Sequence, residues 1–388
     1  MLILIVGALW VGLTVLLFAR ALCQFQAYRR SALALAPGPP VSASVTVIIP
    51  VRNEAANIDS CLEGVTAQAG LAGRFTIIVV DDGSEDETKA VAERRAAADP
   101  RIRVVDAGAL PEGWAGKPHA CWRGAALAAG DWLCFVDADV RLGPEVLAAA
   151  LVRAEAVRLD LLSLQPRQEL GSFWERVIIP AGMLVVACAK RFDAASEAVV
   201  NGQFLLVRRK TYFDVGGHAA VRAEISEDRA LAARLRRGGF RIGVGAADKL
   251  AATRMYRRLG ELWEGFSKNG TEILGGSGAT LRVAAAALLF GWTAFCAPIV
   301  VCDLAATGPD WAKTAGAVLV LIGTALVIGV HCGTARHFRI PAAYGLTFMI
   351  GYTLVACLAV DSVLRRARGR VTWKGRTYRP SGTSAKRV

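Results

Sequence analysis

Phe135-Val136-Asp137-Ala138-Asp139 joins the end of an apolar run to two carboxylates that stand one residue apart. Alternate residues of an extended chain point to the same side, so Asp137 and Asp139 can share one divalent cation at the mouth of a sheet. Ligation by carboxylate oxygens suits Mg²⁺ or Mn²⁺ held jointly with substrate phosphates, and it does not suit zinc. Because surface loops produce the Asp-x-Asp pattern by chance, its meaning depends on the surrounding sequence.

The surrounding sequence alternates strand patterns with helix patterns, which predicts a parallel sheet covered by helices. The predicted strands are Val45–Pro50, Phe75–Val80, Ile102–Val105 and Trp132–Val136. Ligands of such sheets bind beyond the carboxyl ends of the strands, and both acidic pairs, Asp81-Asp82 and Asp137/Asp139, follow strand ends. The first strand is followed neither by the glycine-rich dinucleotide fingerprint nor by a Walker lysine loop, which disfavours dehydrogenases and P-loop nucleotidases.

Four apolar stretches predict membrane segments in this chain of 388 residues, of which 54% are hydrophobic. The first stretch, Leu2 to Ala19, is followed by arginines, so we expect an uncleaved anchor with the amino terminus outside and the rest entering the cytoplasm. The other three stretches are Val283–Ala306, Ala315–Cys332 and Ala342–Leu364.

The expected orientation leaves one conflict open. Three crossings from a cytoplasmic domain would leave the tail outside, whereas its dense positive charge favours the inside. One segment is therefore expected to be re-entrant or interfacial, and hydropathy does not identify which. The predicted organisation is an anchor at 1–30, a linker at 31–44, a catalytic domain at 45–275, membrane segments at 281–364 and a basic tail at 365–388.

Charge and cysteine usage exclude some classes of partner and site. The formal net charge of +13 lies largely beside the apolar stretches. There it would meet anionic lipid headgroups, so no nucleic acid partner is expected. The nine cysteines are scattered and show no C-x-x-C pair, which favours buried thiols in a reduced compartment over a disulfide framework or a zinc site.

Four motifs in order resemble those of the family 2 inverting glycosyltransferases, which have a Rossmann-like nucleotide-binding (GT-A) fold. The motifs are Pro50-Val51-Arg52-Asn53-Glu54, Val80-Asp81-Asp82-Gly83-Ser84-Glu85-Asp86, Asp137-Ala138-Asp139 and Glu227-Asp228. The likeness covers about Val45 to Asn269. It implies an α/β fold with a mixed, mostly parallel sheet, a nucleotide-sugar donor such as UDP-glucose, and a divalent cation, Mg²⁺ or Mn²⁺.

A narrower likeness concerns the acceptor. The segments Gly116–Cys121, Leu162–Pro166, Arg254–Tyr256 and Trp373–Tyr378 resemble the membrane glycosyltransferases of carotenoid biosynthesis that glycosylate diaponeurosporenoate, and hopanoid-associated enzymes are similar too. This likeness implies transfer of one hexose to an isoprenoid lipid at the cytoplasmic face of the cell membrane. Ceramide, diacylglycerol and polyprenyl phosphate stay open as acceptors, and GDP-mannose stays open as donor. No chemistry follows from the segment Trp373–Tyr378 alone.

The family resemblance assigns roles to individual residues. Asp228 stands at the position of the general base, in the first turn of a helix preceded by Ser226, where the helix dipole favours the ionised carboxylate. Asp139 and Asp137 are implied to contact the metal and the ribose, and Asp82 the uracil or ribose. The remaining residues expected to bind substrate are Glu54, Asp81, Lys117, Gly202, Glu227 and Arg254.

Each role has a structural alternative. Asp82 could be a turn residue that accepts backbone N–H bonds, Glu227 and Asp228 could be ordinary first-turn acids, and Lys117 could be a solvated surface lysine. Arg254 could equally face the membrane surface. The Q-x-x-R-W motif of processive relatives is absent there, which disfavours a polysaccharide synthase. A transporter or scaffold with a degenerate nucleotide-binding domain is disfavoured by the intact acidic set.

Overall fold

The computed structural model describes residues 1–36, 38, 41–71, 75–191, 200–306 and 310–378, and its internal contacts divide the chain into two compact units. The sheet unit comprises Tyr28–Glu169, Asp193–Met255 and Gly369–Val388. The helical unit comprises Met1–Ala27, Leu170–Phe192 and Tyr256–Arg368. Within the predicted linker and tail, residues 37, 39, 40 and 379–388 lie outside the described ranges.

Eight strands of the sheet unit form one sheet. They are β1 (Val45–Val51), β2 (Phe75–Asp81), β3 (Ile102–Asp106), β4 (Trp132–Val136), β5 (Val140–Leu142), β6 (Leu161–Gln168), β7 (Phe204–Arg208) and β8 (Ile242–Thr253). Their order across the sheet is β3-β2-β1-β4-β7-β6-β8-β5. The pairs β1–β2, β1–β4, β2–β3 and β6–β8 are parallel, and the other three pairs are antiparallel. The prediction of a mixed, mostly parallel sheet is confirmed.

Strand β1 shows why these segments build a two-sided core. It is rich in β-branched residues, and nearly all of it is buried. Val47 and Ile49 belong to the hydrophobic cluster on one face of the sheet, whereas Ile48 belongs to the cluster on the other face. A strand whose alternating side chains are apolar on both faces fits the centre of a sheet covered by helices on both sides.

The helices occur in both units. Those in the described part of the chain are α1 (Leu2–Ser31), α2 (Ile58–Thr66), α3 (Thr88–Ala98), α4 (Gly116–Leu127), α5 (Val146–Ala156), α6 (Phe173–Ala189), α7 (Arg209–Asp214), α8 (Glu227–Arg237), α9 (Leu259–Leu274), α10 (Ser277–Ala306), α11 (Trp311–His337) and α12 (Phe348–Ala367). Helices α2 to α5, α7 and α8 belong to the sheet unit. Helices α6 and α9 to α12 belong to the helical unit.

The carboxyl ends of β1, β2 and β4 lie at one edge of the sheet. These strands are parallel and in close register, with Val51 opposite Asp81 and Ile48 opposite Phe135. The loops that follow them, at residues 52–57, 82–87 and 137–139, therefore leave the sheet at the same edge. We call this region the carboxyl edge.

The helical unit contains the helices with membrane-like composition. Within the described ranges, four helices are long and apolar enough to cross a membrane: Leu2–Ser31, Ser277–Leu304, Trp311–His337 and Ala342–Ala367. The last of these helices includes a charged residue, Asp361 on α12. Its carboxylate accepts hydrogen bonds from two residues of α9, Trp263 Nε1 at 2.9 Å and Ser267 Oγ at 2.8 Å. Arg365 pairs with the same carboxylate at 2.6 Å.

The last described residues form a short hairpin that belongs to the sheet unit. Strands β9 (Val371–Trp373) and β10 (Arg376–Tyr378) are antiparallel. They are joined by Lys374 with φ 46° and Gly375 with φ 77°. Two successive residues with positive φ are typical of the type I′ turn, whose twist suits a tight hairpin. We call residues 371–378 the tail hairpin.

This organisation predicts the side of the membrane on which the tail lies. The sheet unit contains the chain both before residue 256 and after residue 368, so an even number of crossings must separate the two parts, although α10, α11 and α12 intervene. We expect one of these helices not to cross. Helix α12 is the strongest candidate, since Asp361 would be costly inside a bilayer.

Reporter fusions can test this topology. We expect a reporter fused after Val388 to show the same side as one inserted at the exposed Gly108, and a reporter fused after Ala306 to show the opposite side. Paired alkaline phosphatase and fluorescent-protein fusions would measure the sidedness. A tail on the side opposite Gly108 would contradict the placement of the tail hairpin in the sheet unit.

Candidate active site

The acidic pair after β4 lies at the centre of the carboxyl edge. The Asp137 N–H donates to the Gln203 carbonyl at 3.1 Å, which fixes the backbone beside β7. Asp139 Oδ1 is buried and has no hydrogen-bond partner among the described residues. Burial, together with the nearby Asp137 and Glu54 carboxylates, raises the pKa of Asp139 to about 7. Of Asp137 and Asp139, Asp139 therefore has the less compensated negative charge.

Lys117 draws two of the acids together. It lies in the first turn of α4, and its Nζ is 2.7 Å from Asp137 Oδ1 and 2.8 Å from Glu227 Oε1. Although burial opposes the charged form, Asp137 and Glu227 hold the pKa of Lys117 well above its usual value. Lys117 is therefore not a solvated surface lysine, because its ammonium group forms two ion pairs. Its expected role toward donor phosphates stays a prediction.

Asp228, the expected general base, lies beside this ion pair in the first turn of α8. Its Oδ2 accepts the Gly202 N–H at 2.7 Å, and its Oδ1 accepts the Arg229 N–H at 2.8 Å. A Cβ at Gly202 would lie 3.2 Å from Asp228 Oδ2 and 3.3 Å from Lys117 Nζ, so the glycine leaves room for both side chains. Ser226 occupies the N-cap position, but its side chain makes no capping hydrogen bond.

The environment of Asp228 makes it a better base than an ordinary aspartate. Burial and the adjacent Glu227 carboxylate raise the pKa of Asp228 to about 6, while Lys117 opposes the rise. The carboxylate therefore stays ionised at neutral pH and binds a proton more strongly than a solvated aspartate does. A base with a pKa nearer to neutral is more effective in general base catalysis.

The two acids after β2 differ in their surroundings. Asp81 accepts the Ser84 N–H with both oxygens at 3.3 Å, which is the contact expected of a turn residue. Asp82 is 5% exposed, and its Oδ2 pairs with Arg376 of the tail hairpin. Asp82 Oδ1 is buried without a hydrogen-bond partner among the described residues. Burial raises the pKa of Asp82, and Arg376 opposes that rise.

Glu54 and Arg254 complete the set of expected residues. Glu54 accepts a hydrogen bond from Asn57 Nδ2 at 2.7 Å and pairs with Lys374 of the tail hairpin. The Arg254 N–H donates to the Asp139 carbonyl at 3.4 Å, so the chain leaving β8 passes next to the Asp-x-Asp motif. The carboxyl edge thus brings the expected residues into one region through a continuous series of contacts.

Sequence reasoning missed Lys374 and Arg376, which reach this region from the far end of the chain. Arg376 is separated from Asp82 by 294 positions, so no local pattern links the two. The sequence signal that could have drawn attention to them is the segment Trp373–Tyr378, which carries two cationic residues two positions apart.

The residues present fit a divalent cation that is shared with a ligand. Among the described residues, no group of three or more His, Cys, Asp or Glu side chains is arranged to hold a metal alone. Asp137 is engaged by Lys117, whereas Asp139 offers a buried oxygen without a partner. Mg²⁺ and Mn²⁺ sites commonly use one or two carboxylates and take the remaining ligands from substrate phosphates and water.

Residues 46–229 match the model of Glycosyl transferase family 2. A 4,4'-diaponeurosporenoate glycosyltransferase of Staphylococcus aureus strain MRSA252 is 30% identical over 256 residues, covering 64% of this chain and 66% of that protein. The corresponding protein of strain USA300 is 29% identical with the same coverage. The chain therefore spans just under two thirds of the length of these relatives.

Solved structures give a likeness of fold. A mannosyltransferase from Pyrobaculum calidifontis, in complex with GDP-Man and Mn²⁺, matches 92% of this chain and 98% of its own chain, with a TM-score of 0.51 and 18% identity. This likeness supports the GT-A fold that the motifs predicted.

A mostly parallel α/β sheet whose carboxyl edge gathers acids beyond the strand ends defines a nucleotide-binding enzyme domain of the Rossmann-like class. Its particular family is given by the match over residues 46–229: this segment is a family 2 glycosyltransferase domain. The resemblance that the four motifs indicated is confirmed.

The ion pairs of Lys117 predict a measurable loss of stability when the lysine is replaced. In Lys117→Met, the buried Glu227 and the half-buried Asp137 lose their shared cation, and we expect the free energy of unfolding to fall by about 2 kcal/mol. Thermal unfolding in detergent would show a midpoint several degrees lower, together with loss of transfer activity. Lys89→Met, on the exposed face of α3, is the matched control. Equal midpoints for the two variants would contradict the ion pairs.

Proposed function

We propose that the protein is a membrane-bound glycosyltransferase that moves a single hexose from a nucleotide sugar to a lipid acceptor by inverting displacement. The match of residues 46–229 to family 2 supports the reaction class. The names of the curated relatives support a carotenoid-like acceptor, and the four long apolar helices suit an acceptor dissolved in a bilayer. The proposed location is the cell membrane, with the sheet unit facing the cytoplasm.

The observation that carries the proposal is the setting of Asp228. A partly desolvated carboxylate with a raised pKa lies beside the Lys117 ion pair and is fixed by the Gly202 N–H at 2.7 Å. In the proposed step, the acceptor oxygen bonds to the anomeric carbon while the bond to the nucleoside diphosphate breaks. The acceptor's proton passes to Asp228, and the departing diphosphate keeps the bonding electron pair.

The remaining acids have proposed roles toward the donor. Asp139, with Asp137, would hold the divalent cation, and Asp82 would contact the uracil or ribose. When bound, the cation neutralises charge on the diphosphate as it leaves. Glu54, Asp81, Lys117, Gly202, Glu227 and Arg254 remain proposed substrate contacts. UDP-glucose is the proposed donor, and GDP-mannose is the alternative.

A processive polysaccharide synthase is the rival within the same family. The sequence Arg254-Met255-Tyr256 stands where processive relatives carry Q-x-x-R-W, and that motif is absent here. Product length distinguishes the two functions. Single transfer adds one hexose to each acceptor, whereas a processive synthase makes products with a range of lengths.

Transfer to a lipid can be tested directly with the purified protein. With labelled UDP-glucose, Mn²⁺ and a total lipid extract, we expect one hexose on a lipid, identified by mass spectrometry. Asp139→Ala should lose at least about a hundredfold in transfer and should bind Mn²⁺ more weakly in the presence of UDP, as measured by electron paramagnetic resonance. Label found only in water-soluble products would contradict the lipid acceptor. Unchanged turnover by Asp139→Ala would contradict the metal role.

The raised pKa of Asp228 predicts the pH dependence of transfer. With a hydroxyl acceptor, kcat/KM should decline about tenfold per pH unit below about 6, because protonated Asp228 cannot take the acceptor's proton. Asp228→Asn should lower kcat by at least about a hundredfold at neutral pH. With a carboxylate acceptor, which is already ionised, the same variant should lose much less. If kcat/KM for a hydroxyl acceptor does not fall at low pH, the role of Asp228 as the general base is contradicted.

A further inference from the structure

The tail hairpin places two cationic side chains on the loops of the carboxyl edge. Arg376 lies on β10, and Lys374 lies in the turn that precedes this strand. Lys374 pairs with Glu54 after β1, and Arg376 pairs with Asp82 after β2. The hairpin lies outside residues 46–229, which match the family, so the family match assigns it no role.

Two arginines fix Asp82. Arg376 Nη1 pairs with Asp82 Oδ2, and Arg376 Nη2 donates to the Asp82 carbonyl at 3.1 Å. Arg52 Nη1 donates to the same carbonyl at 2.7 Å. Gly116 makes room for the pair, since a Cβ there would lie 2.6 Å from Arg376 Nη1. The orientation of the Asp82 carboxylate is therefore determined by the guanidinium of Arg376.

This orientation leaves one oxygen of Asp82 available. Asp82 is 95% buried, and its Oδ1 has no hydrogen-bond partner among the described residues. A buried carboxylate oxygen without a donor carries a free-energy cost, which a ligand removes if it supplies an N–H or O–H group. A nucleoside has both kinds of group, on its base and on its ribose.

We propose that the tail hairpin is part of the donor site and that Arg376 is a positioning residue, which presents Asp82 Oδ1 to a hydrogen-bond donor of the nucleoside. This inference rests on the proposed function, because it takes a nucleotide sugar as the donor. It adds a segment from beyond the membrane helices to the site and gives the ion pair of Arg376 and Asp82 a purpose in binding.

The hairpin has its own anchor besides Arg376. Lys374 Nζ donates to the Arg52 carbonyl at 2.9 Å, and Arg52 Nε donates in return to the Lys374 carbonyl at 3.1 Å. With the Glu54 ion pair, these contacts hold the turn of the hairpin to the loop after β1. Replacement of Arg376 should therefore remove the hold on Asp82 while the hairpin stays in place.

Two other roles for Arg376 predict different binding. If the ion pair only stabilised the fold, its removal would leave nucleotide affinity unchanged in the folded fraction. If Arg376 occupied the place of the nucleotide and blocked it, its removal would tighten binding. A positioning role predicts weaker binding, and it predicts that the effect depends on Asp82.

Calorimetric binding of UDP to the full-length protein in detergent, with Mn²⁺ present, separates these roles. We expect Arg376→Ala to raise the Kd for UDP at least about tenfold, the loss expected when a charge-assisted hydrogen bond is removed. Arg376→Lys should recover part of the affinity. Thr377→Ala, on the exposed neighbouring position of β10, is the matched control and should bind as the unaltered protein does.

A double-mutant cycle tests whether Arg376 acts through Asp82. Asp82→Asn with Arg376→Ala should bind UDP no more weakly than Asp82→Asn alone, because the two residues act as one unit. Fully additive losses would overturn the positioning role. CDP lacks the ring N–H of uracil. If the unaltered protein prefers UDP to CDP and Asp82→Asn does not, the group that donates the hydrogen bond to Asp82 Oδ1 lies on the base. Weaker binding of deoxyribose analogues that depends on Asp82 identifies the ribose.

The failure of this inference is distinct from the failure of the proposed function. An unaltered protein that binds neither UDP nor GDP would overturn both. An unaltered protein that binds UDP, with Arg376→Ala binding equally or more tightly, would overturn the hairpin's role alone. If Arg376→Ala does not fold, hydrogen exchange of residues 371–378 in the unaltered protein decides. UDP should slow that exchange, and no change would overturn the inference.

Discussion

The gathering of like charges at the carboxyl edge depends on the ammonium group of Lys117. Its Nζ lies within 2.8 Å of Asp137 and of Glu227, and so it joins the loop after β4 to the first turn of α8. Without this cation, two acids with little access to water would repel each other. Since Asp228 follows Glu227 on α8, the distance between the expected base and the Asp-x-Asp motif is set by the same lysine.

Ion pairs compensate four acids of the carboxyl edge, whereas Asp139 needs another source of positive charge. Asp137 and Glu227 share Lys117, Glu54 has Lys374, and Asp82 has Arg376. Asp139 forms no ion pair among the described residues, and its pKa of about 7 reflects that deficit. A divalent cation that arrives with a diphosphate would supply the missing charge. The edge is therefore electrostatically incomplete at the position where the donor is proposed to bind.

The sequence predicted the parts of this arrangement that depend on local pattern. The strand Trp132–Val136 was predicted with its observed bounds, and Val45–Pro50 and Phe75–Val80 each lack only one residue at the end. Such strands are recognisable because a buried strand is a continuous apolar run between turn signals. The contacts of Lys117 were not predictable, since its two partners are distant in sequence. The tail hairpin was not predictable either, because its pairing with Asp82 spans 294 positions.

The late position of the tail hairpin links membrane insertion to the assembly of the site. The sheet unit is interrupted at Leu170–Phe192 and again at Tyr256–Arg368, and its last segment follows α12. Were the tail to emerge on the far side of the membrane, Asp82 and Glu54 would lose the cations that Arg376 and Lys374 supply. The loss of these ion pairs opposes any topology with an odd number of crossings, and it favours a tail on the same side of the membrane as the sheet unit.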